Sequence, residues 1–427
     1  MTSVLESRVC VVGGGPGGLT LALELARQGH SVTVVEQSAH FNRSFRGESI
    51  SPDCVYLLHR LGVLDDVRAA GLIETSRMEI TDGGRTVLDV DFSRFPYRFR
   101  SPVELPQSTL LGVLAEHASA LPEFRMLRRA TATGLIEEGG RIVGVQASTP
   151  DGPTEIRAEL TVAADGRYSK MRDLAGLEHR KIPLGRDVIW LKTPFPEEWD
   201  NSVYRIRIRS DRHGIFIPTW PDLVRVGLNI PKGGLRELRA QGIGALHSRI
   251  DELAPELSES VREHVAGWSD TSVLDIFTTD VPRWHRPGLV LIGDAAHTLS
   301  PILGQGVNHA IVDGWKLAPM IGAALVNDHP VQALDLVGPR FQEGRQTAVR
   351  RSRGLQLRAE KVFTFRSPAA VRLRQTVYRT VNRFDPLCQR VLSRAYFQLQ
   401  PPGPGHPAPA PVPLPVTPAG TTPRSTS

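Results

Sequence analysis

The amino-terminal part of the sequence contains a glycine pattern that could hold phosphate groups. Gly13, Gly15 and Gly18 form G-x-G-x-x-G directly after the apolar run "RVCVV", and Glu36 ends the next apolar run. In such a turn the first glycine permits the tight bend, the second lets the backbone approach a pyrophosphate, and the third allows a helix to pack closely on a strand. A carboxylate at the end of the second strand accepts hydrogen bonds from an adenosine ribose. The pattern therefore predicts a dinucleotide site rather than a merely structural glycine turn.

A second stretch, "LVLIGDAAHTLSPILGQGVNHAIVDG" at residues 289–314, also has residues suited to holding a ligand. Its apolar start is typical of a strand buried on both faces, and Asp294 follows as a carboxylate that could accept a hydrogen bond from a sugar hydroxyl. Gly304 and Gly306 then let backbone N–H groups approach a flat or anionic group where a predicted helix begins. A triphosphate-binding loop would need lysine and then serine or threonine after its last glycine, and this stretch has neither there. Nucleotide triphosphate hydrolysis is therefore disfavoured, and a structural strand, turn and helix is the alternative.

The elements that must position these residues can be outlined from the pattern of apolar residues. The amino-terminal part reads strand, glycine turn, helix and strand, which is a βαβ unit. Strand-like runs dominate residues 82–209 and include the alternating "VYRIRIR", and a helical run, "GLRELRAQGIGALHSRIDELAP", precedes the second glycine loop. With 427 residues and 41% hydrophobic content, the chain is long enough for two domains.

Several classes of protein are disfavoured by the composition. Cys10, Cys54 and Cys388 are far apart and have no metal-ligand or redox spacing, so we predict neither a disulfide framework nor a metal site. The amino end lacks the pattern of a signal peptide, and no stretch approaches about 18 uninterrupted apolar residues. We therefore expect a cytoplasmic protein without a membrane span. Residues 401–427 hold 10 of the chain's 33 prolines, and we expect this tail to be disordered.

The formal net charge of +6 comes from one region of the chain. Residues 340–394 contain 14 Lys and Arg against 3 Asp and Glu, whereas the rest of the chain has 37 against 42. Aromatic residues are not interleaved with these arginines, so binding of nucleic acid is not expected. We interpret the region as basic helices with a solvated face, and peripheral contact with an acidic membrane surface is the alternative.

Three motifs in this order resemble those of one protein family. They are the glycine pattern, "ADGRYSKMR" at residues 164–172 and "GDAAHTLSPILGQGVN" at residues 293–308. With them the chain resembles the class A flavoprotein monooxygenases, the fold family of para-hydroxybenzoate hydroxylase. The resemblance implies an α/β fold: a Rossmann-like FAD-binding domain, an inserted mainly β substrate domain and C-terminal helices. The implied division is 1–80, 102–180 and 275–345 for FAD binding, 81–101 and 181–274 for the substrate domain, 346–400 for the basic helices and 401–427 for the tail.

The resemblance also implies which residues bind FAD. Asp294 would hold a ribityl hydroxyl, and backbone amides around Gly306 would face the pyrimidine edge of the flavin, where donors stabilise negative charge on the reduced ring. Arg46 resembles the family's arginine beside the flavin and pyrophosphate, Gln107 resembles the residue that reaches the pyrophosphate and ribityl chain, and Asp165 belongs to the motif that links FAD binding with NAD(P)H binding. The predicted cofactor-binding set is Gly13, Gly15, Gly17, Gly18, Glu36, Arg46, Gln107, Asp165, Asp294, Pro301, Gly304, Gly306, Val307 and Asn308.

The reaction implied by the family uses NAD(P)H and O2 as co-substrates. NAD(P)H reduces FAD, and a flavin C4a-hydroperoxide then transfers one oxygen atom to an activated substrate, by hydroxylation or epoxidation of a small aromatic or polyketide-like compound. A flavin-dependent halogenase and a geranylgeranyl-reductase-like flavoprotein of the same fold are the alternatives. A halogenase requires a lysine in its flavin-binding part and a tryptophan-rich segment ending in Ile-Pro. Here the first lysine is Lys170, and the segment reads "HGIFIPTW".

The substrate side of the flavin is expected to be covered by strands at residues 203–209 and 214–218. Tyr204, His213, Phe216 and Trp220 are therefore the candidate substrate residues, and packing within the sheet is the alternative role for each. His213 is also a weak catalytic candidate, because a histidine could relay a substrate proton near neutral pH.

Overall fold

A computed structural model describes residues 2–41 and 47–403, which fold into mixed α/β structure. The strands in chain order are β1 (Ser3–Val12), β2 (Val32–Glu36), β3 (Ser49–Ile50), β4 (Ile73–Glu74), β5 (Arg77–Asp82), β6 (Arg85–Asp91), β7 (Val103–Glu104), β8 (Phe124–Arg128), β9 (Thr131–Glu138), β10 (Arg141–Thr149), β11 (Gly152–Ala163), β12 (Arg180–Pro183), β13 (Arg186–Pro194), β14 (Val203–Arg209), β15 (Arg212–Thr219), β16 (Leu223–Pro231), β17 (Ser272–Leu274), β18 (Phe277–Asp280), β19 (His285–Arg286) and β20 (Leu289–Leu291). The α-helices are α1 (Pro16–Arg27), α2 (Pro52–Arg60), α3 (Leu64–Ala69), α4 (Gln107–Ser119), α5 (Lys170–Leu174), α6 (Leu235–Ala240), α7 (Ile243–Leu253), α8 (Ser258–His264), α9 (Asp294–His297), α10 (Gln305–Leu325), α11 (Pro330–Phe363), α12 (Pro368–Arg383) and α13 (Asp385–Tyr396).

The first sheet has five parallel strands at its centre, in the order β20, β11, β1, β2 and β8. The valine-rich runs Val9–Val12 and Val32–Val35 are buried in a core to which helices α1, α10 and α11 and strands β9 and β10 also contribute. β19 continues the sheet beyond β20 in antiparallel pairing, and β10 and β9 add an antiparallel branch on β11. The Rossmann-like domain predicted from the sequence is confirmed.

The second large sheet has the strand order β17, β13, β16, β15, β14, β5 and β6. Helices α6, α7 and α8 cover one face of it, and Trp190 and Ile217 on the opposite face line a cleft together with Ile292, which follows β20 of the first sheet. β5 pairs in parallel with β14, although the two strands lie more than 100 residues apart in the sequence. Since β5 begins at Arg77, this sheet includes residues on both sides of the predicted division at residue 80.

The carboxyl-terminal helices pack against both sheets. The 34-residue helix α11 begins beside the first sheet, and α12 and α13 cover β6. Two arginines of these basic helices are not solvated: Arg345 contacts Asp313, and Arg374 pairs with Asp82 at 2.8 Å with both side chains buried. No described helix is long and apolar enough to cross a membrane.

The chain after α13 is held by one buried carboxylate. Asp53 in α2 accepts hydrogen bonds from the backbone N–H groups of Gln398, Leu399 and Gln400. Gly403 donates its N–H to the carbonyl of Pro96 at 2.6 Å, so the chain stays in contact with the protein beyond residue 401. The rest of the predicted tail, residues 404–427, lies outside the described residues.

Candidate functional site: a long cleft and an adjoining cavity

The glycine turn between β1 and α1 has little room for side chains except at one position. Gly13 has a φ of 111°, and a Cβ there would collide with the carbonyl group of Ala164. A Cβ on Gly17 would lie 2.7 Å from the Ala310 carbonyl oxygen, and one on Gly18 would collide with the Gly13 carbonyl oxygen. A Cβ on Gly15, in contrast, would meet no described protein atom within 4 Å. Gly15 therefore faces open space at the N-terminus of α1, where a ligand can approach the backbone.

Glu36 closes this turn from the end of β2. Its Oε2 accepts a 2.8 Å hydrogen bond from the N–H of Gly14, and its Oε1 accepts one of 2.8 Å from the N–H of Ser38. The side chain is buried yet lines the cleft beside the glycine turn. Because each carboxylate oxygen can accept more than one hydrogen bond, the backbone contacts leave capacity for ribose hydroxyls.

The cleft has two continuous parts. The outer cleft extends from Glu36 past Gly13, and the inner cleft extends from Gly15 to the start of α10. Both parts are lined by Gly15, Ala164, Gly166 and Arg167. The cleft is therefore elongated and passes the helix N-terminus near its middle, which matches a dinucleotide with a central pyrophosphate.

Asp165 lines the outer cleft but has a local structural role as well. It accepts a 2.6 Å hydrogen bond from the Ser169 hydroxyl and a 3.0 Å bond from the Met171 N–H, so it supports the start of α5. Burial raises the pKa of this carboxyl, and the hydrogen bonds partly offset that effect. The side chain of Asp165 therefore both stabilises the start of α5 and lines the outer cleft.

Asp294 points into the inner cleft from the first turn of α9. Its Oδ2 lies 3.6 Å from Nε of Arg167, and among the described residues no hydrogen bond is donated to its carboxylate. A helix cap would be bonded to backbone N–H groups, so the geometry does not support a capping role. Asp294 is a carboxylate available to a ligand in the inner cleft.

The loop before α10 brings backbone donors to the inner cleft. Pro301, Gly304, Gly306 and Val307 all line it, and Gly304 has a φ of 61°, in the left-handed region. The first N–H groups of a helix have no partner within the helix, so they are available to an anionic or polar ligand edge. The side chain of Asn308 instead holds the loop: it accepts from the Ser51 N–H at 2.8 Å and donates to the carbonyls of Ser49 and Gly304.

Of the two remaining predicted cofactor-binding residues, one lies at the inner cleft. Gln107 is the first residue of α4 and lines the cleft, where its side-chain amide lies against Gly47. Arg46 lies outside the described residues, so its predicted contact with FAD remains a prediction.

A buried polar network beneath this loop was not predicted from the sequence. Asp313 of α10 accepts hydrogen bonds from the Gly293 N–H at 2.8 Å, from His297 at 2.7 Å and from Arg345 at 2.7 Å. Burial would raise the pKa of Asp313, but His297 and Arg345 more than offset this and hold it below its usual range. Arg345 also reaches His309, whose pKa is lowered to about 3 by burial and by that arginine. The network fixes the turn that presents Asp294.

A second cavity lies behind the inner cleft. This rear cavity has a mostly apolar surface. It shares four lining residues with the inner cleft: Ser49, Tyr204, Ile215 and Gly304. A cavity of this kind, apolar with a few polar groups, is typical of a site for a small organic molecule.

Charged residues cluster where the two spaces meet. Glu48 is buried and lies 3.0 Å from Arg225 and 3.2 Å from Lys192. Ser49 donates to Glu104 at 2.6 Å and accepts from Arg225 at 3.3 Å. Burial raises the pKa of Glu104 to about 8, an effect that Arg225 and Ser49 reduce and Glu48 reinforces. An acidic residue inside the apolar run "PVELP" was the available sequence signal for this buried carboxyl.

The structure brings only one of the four candidate substrate residues into these spaces. Tyr204 lines both the inner cleft and the rear cavity. Phe216 points to the opposite face of its sheet, against Trp199, and its neighbours Ile215 and Ile217 face the cleft instead.

The other two candidates also lie outside the lining. His213 is buried against Phe363, and burial together with Arg186 and Arg374 lowers its pKa to about 3. A histidine that stays neutral and is absent from the cavity lining is poorly placed to relay a proton. Trp220 is 45% exposed and packs against Gly71. Tyr204, Ile215 and Glu104, in contrast, line the rear cavity.

The comparisons with known proteins agree with this geometry. A family model described as FAD binding domain matches residues 6–352. The 6-methylpretetramide 4-monooxygenase of Streptomyces rimosus is 37% identical over 383 residues, covering 88% of this chain and 91% of that protein. The crystal structure of PqsL from Pseudomonas aeruginosa has a TM-score of 0.74 at 23% identity, covering 87% of this chain and 99% of that one. A flavin-dependent brominase has a TM-score of 0.72 at 18% identity, covering 92% and 94%. The two structural likenesses show the fold alone.

Proposed function

Because the chain belongs to the FAD binding domain family, as an FAD-dependent monooxygenase of the para-hydroxybenzoate hydroxylase-like class, we propose that it uses NAD(P)H and O2 to add one oxygen atom to a small aromatic or polyketide-like substrate. The relative from Streptomyces rimosus carries a 4-monooxygenase activity on 6-methylpretetramide in its name, which supports a substrate of this class. Hydroxylation is the favoured reaction, because the rear cavity contains groups that can hold and deprotonate a hydroxylated ring.

One observation carries the proposal: the inner cleft and the rear cavity meet at Ser49, Tyr204 and Gly304. A flavin ring at the start of α10 would therefore lie next to a substrate in the rear cavity. Ile215 adds an apolar wall at this junction, and the surface of the rear cavity is mostly apolar. The lining residues thus disfavour water at the place where the oxygen atom would reach the substrate.

The residues of the cleft fit FAD in a definite order. Glu36 is placed for the adenosine ribose, Gly15 and the N-terminus of α1 for the pyrophosphate, and Asp294 for a ribityl hydroxyl. A bound dinucleotide would fill the open space at Gly15. It would also donate a hydrogen bond to the Asp294 carboxylate, to which no donor among the described residues is bonded.

The backbone N–H groups at the start of α10 would interact electrostatically with the flavin. They would face the pyrimidine edge of the flavin and stabilise the negative charge of its reduced form. FAD, when bound, supplies the redox chemistry, accepting a hydride from NAD(P)H and activating O2. The chain supplies orientation, a dry cavity and the groups that hold and move protons.

Halogenation is the main alternative, since a brominase shares the fold. A flavin-dependent halogenase of this fold requires a lysine in its flavin-binding part. In the described part of the chain no lysine lines the inner cleft or the rear cavity, where the cationic lining residues are Arg167 and Arg225. This lining supports oxygen insertion over halogenation.

The proposal is tested by product analysis with labelled oxygen. The purified protein is incubated with FAD, NADH or NADPH, and panels of phenolic and polyketide-like compounds under ¹⁸O2, with and without bromide and chloride. We expect substrate-stimulated oxidation of NAD(P)H and a product that carries one ¹⁸O atom. A halogenated product would replace the proposal with its alternative, and a folded protein that does not bind FAD would refute both.

A further inference from the structure

Glu104 is a buried carboxyl group that the cofactor site does not use. It lies in β7, is 1% exposed and lines the rear cavity. Its Oε2 accepts the 2.6 Å hydrogen bond from Ser49. Its Oε1 has no hydrogen-bond or ion-pair partner among the described residues. A buried carboxyl oxygen that accepts no hydrogen bond destabilises the folded state unless a ligand or a water molecule donates one to it. Oε1 is therefore the polar atom through which this apolar cavity can recognise a substrate.

The groups around Glu104 come from several elements. Arg225 of β16 reaches it through Ser49, and Glu48 is balanced by both Arg225 and Lys192. Tyr204 of β14 and Tyr396 of α13 also line the rear cavity. The negative charge of Glu104 contributes to raising the pKa of both tyrosines. Burial raises the pKa of both phenols, that of Tyr396 to about 12, so both groups stay protonated at neutral pH and can donate a hydrogen bond.

We propose that Glu104 is the catalytic residue that accepts the proton of a substrate hydroxyl in the rear cavity, and that the substrate is accordingly a phenol or an enol. This inference rests on the proposed monooxygenase function. In the step, the substrate O–H bond breaks, an O–H bond forms at Oε1 of Glu104, and the electron pair stays on the substrate oxygen. No electron is gained or lost, and the resulting phenolate or enolate is a better nucleophile towards an electrophilic oxygen atom.

The chemistry of the cavity selects Glu104 over its neighbours. A general base works best when its pKa lies near the operating pH, and burial brings the pKa of Glu104 to about 8. Glu48 is already engaged by two cations, and His213 is not part of the lining. Tyr204 and Tyr396 are suited to donating hydrogen bonds to the phenolate oxygen that forms.

The test measures recognition of a hydroxyl group, separately from turnover. The FAD-loaded full chain is titrated calorimetrically with 2-naphthol and with naphthalene, which differ only in the hydroxyl group, from about pH 6.5 to about pH 9. The quantity of interest is the affinity for 2-naphthol divided by that for naphthalene. In the wild type we expect this preference to rise about tenfold as Glu104 ionises near pH 8, because a carboxylate accepts a stronger hydrogen bond than a neutral carboxyl.

Three variants make the assignment specific. Glu104→Gln should retain naphthalene binding and show a preference that does not change with pH. Ser49→Ala should move the rise to higher pH, because it removes a hydrogen bond that lowers the pKa of Glu104. Glu24→Gln, which alters another carboxyl of raised pKa, in α1 and outside both cavities, should behave as the wild type.

The inference is overturned if Glu104→Gln keeps the wild-type rise, or if the wild type has no preference for the hydroxylated ring. Should Glu104→Gln not fold, as judged by its melting curve, the shift in Ser49→Ala decides, and an unshifted profile overturns the assignment. Failure of the proposed function is distinguishable, because it would appear as absent ¹⁸O transfer whether or not the hydroxyl preference depends on Glu104.

Discussion

The backbone N–H of Gly293 donates a 2.8 Å hydrogen bond to Oδ2 of Asp313, which lies 20 residues further along the chain in α10. Gly293 has a φ of 58°, and this bond holds the turn at the end of β20 against the helix. The next residue, Asp294, consequently begins α9 with its carboxylate in the inner cleft. A fully buried charge thus positions a residue that lines the inner cleft.

Asp313→Asn should weaken both folding and FAD binding. The change removes the charge opposite Arg345 and His297 and leaves two buried donors without their anionic partner. Breaking such a buried pair costs about 3–5 kcal/mol, which denaturant unfolding of the apo-protein should show. FAD titration should show reduced affinity. Asp328→Asn, an exposed change just after α10, is the control and should alter neither quantity. An unfolding free energy equal to that of the wild type would contradict the role of the network.

Asp294→Asn and Asp294→Ala should reduce FAD affinity without destabilising the apo-protein. Within residues 2–41 and 47–403, no hydrogen-bond donor is bonded to the Asp294 carboxylate that its loss would leave unsatisfied. Losing a charge-assisted hydrogen bond to a ribityl hydroxyl costs about 1.5–3 kcal/mol, or roughly ten- to hundredfold in affinity. FAD titration and thermal melting of apo-protein measure the two effects. Equal FAD affinity in the wild type and Asp294→Ala would remove the ribityl assignment.

Gly15→Val and Gly18→Val should fail in different ways. Gly15 has an ordinary φ of −81° and space for a side chain, so its variant should fold with a melting temperature near that of the wild type. The added side chain would nevertheless occupy the space of the pyrophosphate, and FAD should be lost. Gly18→Val would collide with the Gly13 carbonyl and should destabilise the fold itself. Visible absorbance and melting curves distinguish the two, and a yellow Gly15→Val protein would argue against the phosphate position.

His213→Phe should change acid stability and leave turnover nearly unchanged. The folded-state pKa of His213 is lowered to about 3, mainly by burial, whereas the unfolded chain takes up its proton near pH 6.5. Between these values the unfolded state binds more protons, so the folded state loses stability as the pH falls, by up to about 1.4 kcal/mol per pH unit.

That slope should be smaller in His213→Phe when unfolding is measured from about pH 4 to about pH 6.5. The variant should also retain its pH profile of NAD(P)H oxidation with any substrate identified. A large loss of turnover at unchanged stability would restore His213 as a proton relay.

Two truncations test the segment that follows α13. A chain ending at Gly403 should keep its FAD content and melting temperature. A chain ending at Phe397 removes the backbone donors of residues 398–400 from Asp53, whose burial raises its pKa to about 6. An unsatisfied buried carboxyl costs about 1–3 kcal/mol, which should appear as a lower melting temperature. Identical melting of the two truncated chains would show that the segment contributes nothing.

The sequence alone determined the parts of the site that depend on the backbone. Gly13, Gly15 and Gly18 are required where a Cβ cannot fit or where a ligand must approach, and their G-x-G-x-x-G spacing after an apolar run can be recognised in the sequence itself. Glu36 and Asp294 follow apolar strands, so their places at one edge of a parallel sheet could be predicted from that pattern together with the family resemblance.

The tertiary structure decided which side chains meet across long separations. β15 is buried at nearly every position, so its sequence has no alternation to show that Ile215 faces the cleft and Phe216 the opposite layer. Glu104 and Asp313 acquire their roles from Ser49 and from Arg345, which come from other parts of the chain. The physical reason is that burial and charge pairing are properties of the packed neighbourhood, whereas glycine spacing is a property of the chain itself.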